Sequence, residues 1–139
     1  MRARKTNMKK TTISVPIYLV QPRKTKKDKK YSLSMNAYRN WQFHLSSVLK
    51  RQFKEIVRPD LEGKTFNNPS IEYFLYFPDK RRRDKFNFAS IIAKFFLDAM
   101  VECGCIEDDN DSFIGRESVE FIGVDKENPR CEVVLTEID

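Results

Sequence analysis

Two stretches of the chain carry apolar residues at the three- and four-residue steps that bury one face of a helix. The first, residues 35–57, follows Ser34 as its N-cap, and Pro59 is expected to end it. Its apolar positions are Tyr38, Trp41, Leu45, Val48, Leu49, Phe53 and Ile56. The second, residues 88–103, is apolar almost all round, and Gly104 follows at a position that favours glycine. The pattern predicts two main helices.

Four other stretches have the composition of β-strands. Residues 11–20 are β-branched and apolar, and a proline within them predicts an edge strand or a bulge. Residues 71–77 form the most strand-like run and are expected at the centre of the sheet. Residues 118–124 and 131–138 are predicted to form a terminal hairpin. The order β-α-β-α-β-β predicts an α+β fold, with a mixed sheet of about four strands and two main helices on one face.

Charge is distributed unevenly along the 139 residues, whose formal net charge is +6. Residues 1–30 hold eleven Lys or Arg and one Asp, whereas residues 102–139 hold three Lys or Arg and twelve Asp or Glu. This asymmetry indicates an anionic partner and a separate carboxylate-rich region, although a run of like charge is often only a solvated face. We expect one domain over residues 1–139, with a flexible basic segment at residues 1–10. Residues 21–30 fit a DNA contact and a charged linker equally well.

Cysteine and histidine content argues against a structural zinc site. Cys103 and Cys105 are separated by one residue, and His44 is the single histidine, so paired ligand spacing is missing. Reduced thiols are expected, as in a cytoplasmic protein. No apolar run reaches about 18 residues, so no membrane span is expected. We expect neither a membrane nor a small-molecule cofactor among the partners.

Residues 78–87 connect the strand 71–77 to the second helix and concentrate charge at one turn. The charged and amide side chains of this turn are Asp79, Lys80, Arg81, Arg82, Arg83, Asp84, Lys85 and Asn87. Cations bind phosphate and carboxylates bind divalent metals, so their combination fits a phosphodiesterase site. The alternative is a turn with solvated arginines and an aspartate that caps the next helix, which from the residues alone is the commoner situation.

A polar stripe and a second acidic cluster follow that turn. The stripe residues are spaced by four along the second helix: Ser90, Lys94, Asp98 and Glu102. The Lys94–Asp98 pair fits a helix-stabilising contact of about 0.3 kcal/mol, or a lysine that points into a cleft. The acidic cluster contains Asp108, Asp109 and Asp111. The acidic cluster meets Asp84 only if the chain folds back, or if a two-fold partner supplies the second half of the site.

The order of these residues resembles the RusA family of Holliday junction resolvases. The matching residues are Arg81, Arg82, Arg83, Asp84, Asn87, Lys94, Asp98, Gly104, Asp108 and Asp109. The resemblance covers residues 73–109, and more weakly residues 34–41 and the C-terminal strands. Two features depart from the family. Phe86 stands where a second aspartate is usual, and the segment between Asn87 and Lys94 is longer by about four residues, close to one helical turn.

The resemblance implies a homodimeric endonuclease that requires Mg²⁺, with Mn²⁺ as a possible substitute, and that cuts four-way or other branched DNA by paired cuts. Asp84 and Asp109 are the implied metal ligands, with Asp108 in reserve, and Lys94 is the third implied catalytic residue. The implied DNA contacts are Lys80, Arg81, Arg82, Arg83 and Lys85, with support from Asn87 and Asp111. The eleven phenylalanines and the apolar second helix point to a dimer interface on that helix or on the central strand.

Two other functions stay open. Phe86 lacks a carboxylate, so the chain could bind DNA junctions with weakened or no cleavage. It could also be an interaction domain of a phage replication or recombination system, with the acidic end as its contact surface.

Overall fold

The computed structural model describes residues 8–138, so most of the basic N-terminal segment, residues 1–7, lies outside the described range. Residues 8–10, which were expected to be flexible, belong instead to the first strand. The elements are β1 Met8–Val15, β2 Tyr18–Gln21, β3 Lys29–Ser32, α1 Met35–Tyr38, α2 Phe43–Leu61, β4 Ser70–Phe77, α3 Lys85–Glu102, β5 Glu117–Val124 and β6 Arg130–Ile138.

Four strands form a mixed sheet in the order β1-β6-β4-β5, which confirms the predicted α+β class. β4 is interior, as its apolar sequence predicted, and β1 lies at an edge. β6 runs antiparallel to both β1 and β4, whereas β5 runs parallel to β4. The predicted hairpin of the last two strands is therefore wrong, because β4 separates them. A parallel neighbour requires a crossover, and α3 provides it by carrying the chain from the end of β4 back to the start of β5.

The predicted first strand divides at Pro16, which lies between β1 and β2. Proline has no N–H to donate to a sheet ladder, so pairing with β6 stops at Val15. β2 then pairs antiparallel with β3 in a separate two-stranded sheet. The expected solvated loop is shortened to the exposed turn at residues 22–28, because its two ends belong to this hairpin.

The predicted first helix is divided into α1 and α2 by a bend at residues 39–42. Ser34 caps α1 as predicted, since its Oγ accepts a hydrogen bond of 3.3 Å from the backbone N of Ala37. Trp41 lies at the bend and packs edge-on against Tyr31 and Tyr38. These aromatic contacts explain the break, because they turn the Trp41 side chain toward the β2–β3 hairpin.

Pro59 does not end the second helix of this pair, as had been expected, but lies inside its last turn. The proline removes one backbone hydrogen bond from that turn. Leu61, two residues later, is fully buried, and the backbone N of Glu62 donates to the carbonyl of Arg58 at 2.9 Å. Core packing and this bond hold the last turn in helical form.

One hydrophobic core lies between the sheet and the two long helices. Alternate residues of β4 are buried in it, and nine residues of α3 are buried as well. Little apolar surface of α3 or β4 is therefore free for the expected dimer interface. Large exposed apolar side chains lie instead on β5, at Phe121, Ile122 and Val124, and at Phe86. Within residues 8–138, no helix has the length and apolar character needed to cross a membrane.

Candidate functional site

The loop between β4 and α3 is ordered by contacts of its own side chains. Oδ1 of Asp79 accepts hydrogen bonds from the backbone N of Arg81 at 2.9 Å and from Nη1 of Arg83 at 2.8 Å. The hydrogen bond to Asp79 raises the pKa of Arg83 and lowers that of Asp79. The Arg83 guanidinium also lies 4.9 Å from the centre of the Phe77 ring. Arg83 thus stabilises the loop, and only 11% of its side chain is exposed.

The other predicted DNA contacts of the loop differ from Arg83 in their exposure. Lys80, Arg81 and Arg82 are exposed, and no ion pair involves them within residues 8–138. Lys85 is half-buried at the first position of α3, with its Nζ 5.6 Å from the centre of the Phe86 ring. Three solvated cations are therefore available to an anionic ligand such as a phosphate.

Asp84 is the N-cap of α3. Its Oδ1 accepts a hydrogen bond of 2.9 Å from the backbone N of Phe86, so the capping role foreseen from the residues is present. Asp84 is nevertheless exposed and lines two surface cavities, one on each side of the loop. Capping and ligand binding are compatible here, because the cap uses a single carboxylate oxygen within the described part of the chain.

The first cavity is a cleft of about 450 Å³ between α1 and the start of α3. Its polar lining comprises Asn36, Arg39, Asp84, Asn87 and Ser90. Oδ1 of Asn87 accepts a hydrogen bond of 3.2 Å from the backbone N of Asn36, which connects α1 to α3 beside Asp84. Asn87 therefore supports the cleft, and Arg39 adds an exposed cation that was not assigned from the sequence. The weak resemblance over residues 34–41 was the signal for its position.

The second cavity is a groove of about 680 Å³ on the other side of the loop, which we call the aromatic groove. Its apolar lining consists of Phe77, Phe86, Phe121 and Val124, and residues 79–85 border it. The rings of Phe77 and Phe121 are stacked, with centres 5.6 Å apart and planes inclined by 25°. Neither exposed aromatic residue, Phe86 or Phe121, was assigned a role from the sequence.

Lys94 lies on the predicted polar stripe of α3, farther from Asp84 than a shared site requires. Ten residues separate the two, or about 15 Å along the helix axis. The Lys94 side chain is exposed, and its Nζ is 5.7 Å from the centre of the Tyr38 ring. Burial raises the pKa of Asp98, and the charges of Lys50 and Lys94 oppose that rise. The neighbours of Lys94 thus include Tyr38 of α1 and Asp98 of its own helix.

The second acidic cluster lies beyond the other end of α3. Oδ1 of Asp108 accepts from the backbone N of Asp109 at 2.8 Å, and its Oδ2 accepts from Nδ2 of Asn110 at 3.1 Å. Desolvation is the main cause of the raised pKa values of Asp98 and Glu117, and the charge of Asp109 adds to both. Asp109 is therefore close to the C-terminal part of α3 and to the start of β5. Asp111 is exposed in the same loop and also raises the pKa of Glu117.

The same region contains a buried hydroxyl. Within the described residues, the Tyr73 hydroxyl makes no hydrogen bond of good geometry, although the Glu117 carboxyl lies near enough to raise its pKa. Burial raises the pKa of Tyr73, and partial desolvation raises that of the Glu117 carboxyl, although Glu117 as a residue is exposed. They line a shallow cavity of about 470 Å³ between α3 and β5. The start of β5 and the acidic cluster thus form one acidic end of the molecule.

The 18 residues of α3 separate the predicted metal ligands Asp84 and Asp109. A helix of this length spans about 27 Å, and Asp109 follows its far end, where Asp98 and Glu117 are its neighbours. No group of three or more His, Cys, Asp or Glu side chains among residues 8–138 is arranged to hold a metal ion. The other way foreseen for the carboxylates to meet, through a two-fold partner, stays a prediction. A scan against protein-family models and a search of curated proteins find no match to the chain.

Proposed function

We propose that the protein is a metal-dependent endonuclease of the RusA type, which cuts four-way or other branched DNA as a two-fold dimer. The observation that carries the proposal is the opposite charge at the two ends of α3. Exposed cations and Asp84 lie at its start, whereas Asp108, Asp109 and Asp111 follow its end. In a two-fold dimer the same patches meet reciprocally, so an antiparallel arrangement of the two subunits would place the basic loop before α3 of each against the acidic loop after α3 of the other.

Such a dimer has two composite sites, each with Asp84 of one subunit and Asp109 of the partner subunit. Two carboxylates are a common protein contribution to a magnesium site, in which water and phosphate oxygens complete the shell. Mg²⁺ held there would supply an activated water and counter-charge for phosphodiester hydrolysis. Lys80, Arg81 and Arg82 would hold the phosphates on either side, and Asn87 would fix the α1 side of the cleft.

Paired sites also suit the substrate class. A four-way junction has two-fold symmetry, and its resolution requires cuts on two opposing strands. One composite site on each side of a two-fold axis would meet both strands. Lys94, the third implied catalytic residue, lies too far from Asp84 to act beside it, because about 15 Å of helix separate the two.

Junction binding without cleavage is the second candidate function. It is favoured by Phe86, whose exposed ring occupies the position of an expected ligand. Incubation of the protein with a synthetic four-way junction and Mg²⁺, Mn²⁺ or EDTA separates the two functions. Cuts that require the metal support the endonuclease, whereas a stable complex that stays uncut under all three conditions supports the binding module.

Subunit mixing tests the composite site. We expect Asp84→Asn and Asp109→Asn homodimers to be inactive, because every site lacks one carboxylate. When the two variants are mixed and allowed to exchange subunits, each heterodimer regains one intact site, so about a quarter of all sites would be functional. This activity would appear as single-strand nicks. Asp60→Asn, at an exposed position in the last turn of α2, is the matched control and should retain full activity.

Two results contradict the composite site. If each site were contained in one chain, heterodimers would hold no intact site and the mixture would stay inactive. Sedimentation at a mass near 16.5 kDa, the value for one chain, would remove the dimer and with it the paired cuts.

A further inference from the structure

The aromatic groove owes its shape to an irregularity of β5. In a regular strand, residues 121 and 124 would point to opposite faces of the sheet. The register between β4 and β5 shifts after Leu75, so that Phe121 is opposite Leu75 and Val124 is opposite Phe77. Phe121 already faces the side that carries Phe77, and the bulge turns Val124 to the same side, so the groove acquires a continuous apolar floor.

Much of this floor is open to solvent. Phe77 is buried, but Phe121 stacks on it and keeps 49% of its surface exposed, and Val124 keeps 45%. Phe86, 60% exposed, lines the same groove. The volume of about 680 Å³ falls in the range of cavities that take small planar ligands.

The border of the groove is cationic. Lys80, Arg81 and Arg82 line it and are exposed. An apolar partner that covered the groove would have to desolvate these charges without pairing them, which is costly. A ligand with a flat apolar face and anionic groups on either side matches both the floor and the border.

We propose that the aromatic groove binds an unpaired nucleobase of DNA, which stacks on Phe121 while Lys80, Arg81 and Arg82 contact the neighbouring phosphates. Aromatic side chains beside a cationic surface are the usual means of binding single-stranded nucleic acid, because every base has a π face. The inference rests on the proposed function in one respect, that the ligand is DNA. It adds that the substrate offers an unstacked base at or near the branch point, close to Asp84, which lines the same groove.

Binding in EDTA tests the proposal without cleavage. The full chain is titrated with a single-stranded oligonucleotide, a blunt duplex of equal length, and a four-way junction that carries 2-aminopurine at the branch point. Removal of a stacking partner is worth about 5- to 150-fold in affinity per base. We expect Phe121→Ala to weaken single-strand and junction binding within that range, to leave duplex binding nearly unchanged, and to abolish the change in 2-aminopurine fluorescence.

Two further variants separate stacking from loss of apolar surface. Phe121→Trp should bind at least as well as the wild type, whereas Phe121→Leu, which keeps an apolar side chain without a π face, should behave like Phe121→Ala. Phe43, 88% exposed at the start of α2, is the matched position, and Phe43→Ala should bind like the wild type. Thermal unfolding of each variant checks that the fold is retained.

The possible results distinguish failure of the groove proposal from failure of the proposed endonuclease function. Wild-type binding by both Phe121→Ala and Phe121→Leu overturns the groove alone. Loss of the dimer in Phe121→Ala, seen by sedimentation, overturns it in favour of a contact between copies of the chain. If the stacking effects appear but no DNA is cut with Mg²⁺ or Mn²⁺, the groove is supported and the endonuclease is not. Failure to bind any DNA overturns both.

Discussion

Nη1 of Arg83 and Oδ1 of Asp79 form an ion pair of 2.8 Å across the turn that joins β4 to α3. This contact divides a run of four cations into two groups. Arg83 is directed inward over Phe77, while Lys80, Arg81 and Arg82 extend into solvent beside Asp84. Arg83 therefore stabilises the loop, whereas Arg81 and Arg82 are exposed on its surface.

The first prediction compares Arg82→Ala with Arg83→Ala. If Arg82 contacts a phosphate, its loss weakens DNA binding and reduces the slope of log affinity against log salt by about 0.9 for each lost duplex contact. Arg83→Ala should mainly lower the thermal unfolding midpoint, because the loop loses its contacts with Asp79 and Phe77. Salt titrations and melting curves of both variants are the measurement. Equal changes of slope in the two variants would show that Arg83 also binds DNA.

The second prediction separates the two roles of Asp84. Asparagine is nearly as good an N-cap as aspartate, whereas alanine at an N-cap costs about 1 kcal/mol of stability. We expect Asp84→Asn to abolish cleavage and to leave the free energy of unfolding unchanged. Asp84→Ala should abolish cleavage and also lower the free energy of unfolding. Urea unfolding and a junction-nicking assay measure the two effects. Wild-type cleavage by Asp84→Asn would leave Asp84 with the cap alone.

Local patterns in the sequence were sufficient to predict the helix α3 and the interior position of β4 in the sheet. Burial on nearly all sides requires apolar residues on nearly all sides, and both segments have them. The bend at residues 39–42 was not visible, because Tyr38, Trp41 and Leu45 continue the helical spacing across it. Long-range pairing was also inaccessible. The tight turn between β5 and β6 fits a hairpin, and only the place of β4 between them excludes it.

In the candidate site too, features set by neighbouring residues were predicted from the sequence, whereas features set by long-range structure were not. The order of charges located the basic loop, the cap at Asp84 and the acidic cluster, since these depend on neighbouring residues. The separation of Asp84 from Asp109 depends on α3 being one unbroken helix of 18 residues. The aromatic groove depends on a register shift in β5, which apolar alternation alone did not indicate.

The third prediction concerns the three free thiols. Cys131 is buried in β6, and burial raises its pKa to about 12. Cys105 is also buried, its Sγ contacts the carbonyl of Leu61 at 3.2 Å, and burial raises its pKa. Cys103 is half-buried. Because the thiolate is the reactive form, we expect one thiol, Cys103, to react rapidly with an aromatic disulfide reagent in the folded protein, and all three to react after unfolding.

The Cys103→Ser variant is the control for that assignment. It should lose the rapid reaction and keep two thiols that react only in denaturant. Rapid labelling of two thiols in the wild type would show that the Cys105 or Cys131 environment opens readily.

The fourth prediction concerns pH and Glu117. Glu117 is exposed as a residue, but partial desolvation of its carboxyl beside Tyr73 raises the pKa of that carboxyl in the folded chain, with additional contributions from Asp109 and Asp111. Between the ordinary glutamate pKa and the raised one, the folded protein binds more protons than the unfolded chain. The free energy of unfolding contributed by Glu117 therefore falls as pH rises through this window.

Glu117→Gln removes that loss, because glutamine has nearly the same shape as glutamate and does not ionise. We expect the variant and the wild type to unfold at similar temperatures at about pH 4, below the ordinary glutamate pKa, and the variant to unfold at a higher temperature at about pH 7. Glu120→Gln, at another exposed position on the same strand but away from the Tyr73 hydroxyl, is the matched control and should show a much smaller gain. A difference between Glu117→Gln and wild type that stays constant with pH, or shrinks as pH rises, would mean that ionised Glu117 is not a source of instability at this end of the molecule.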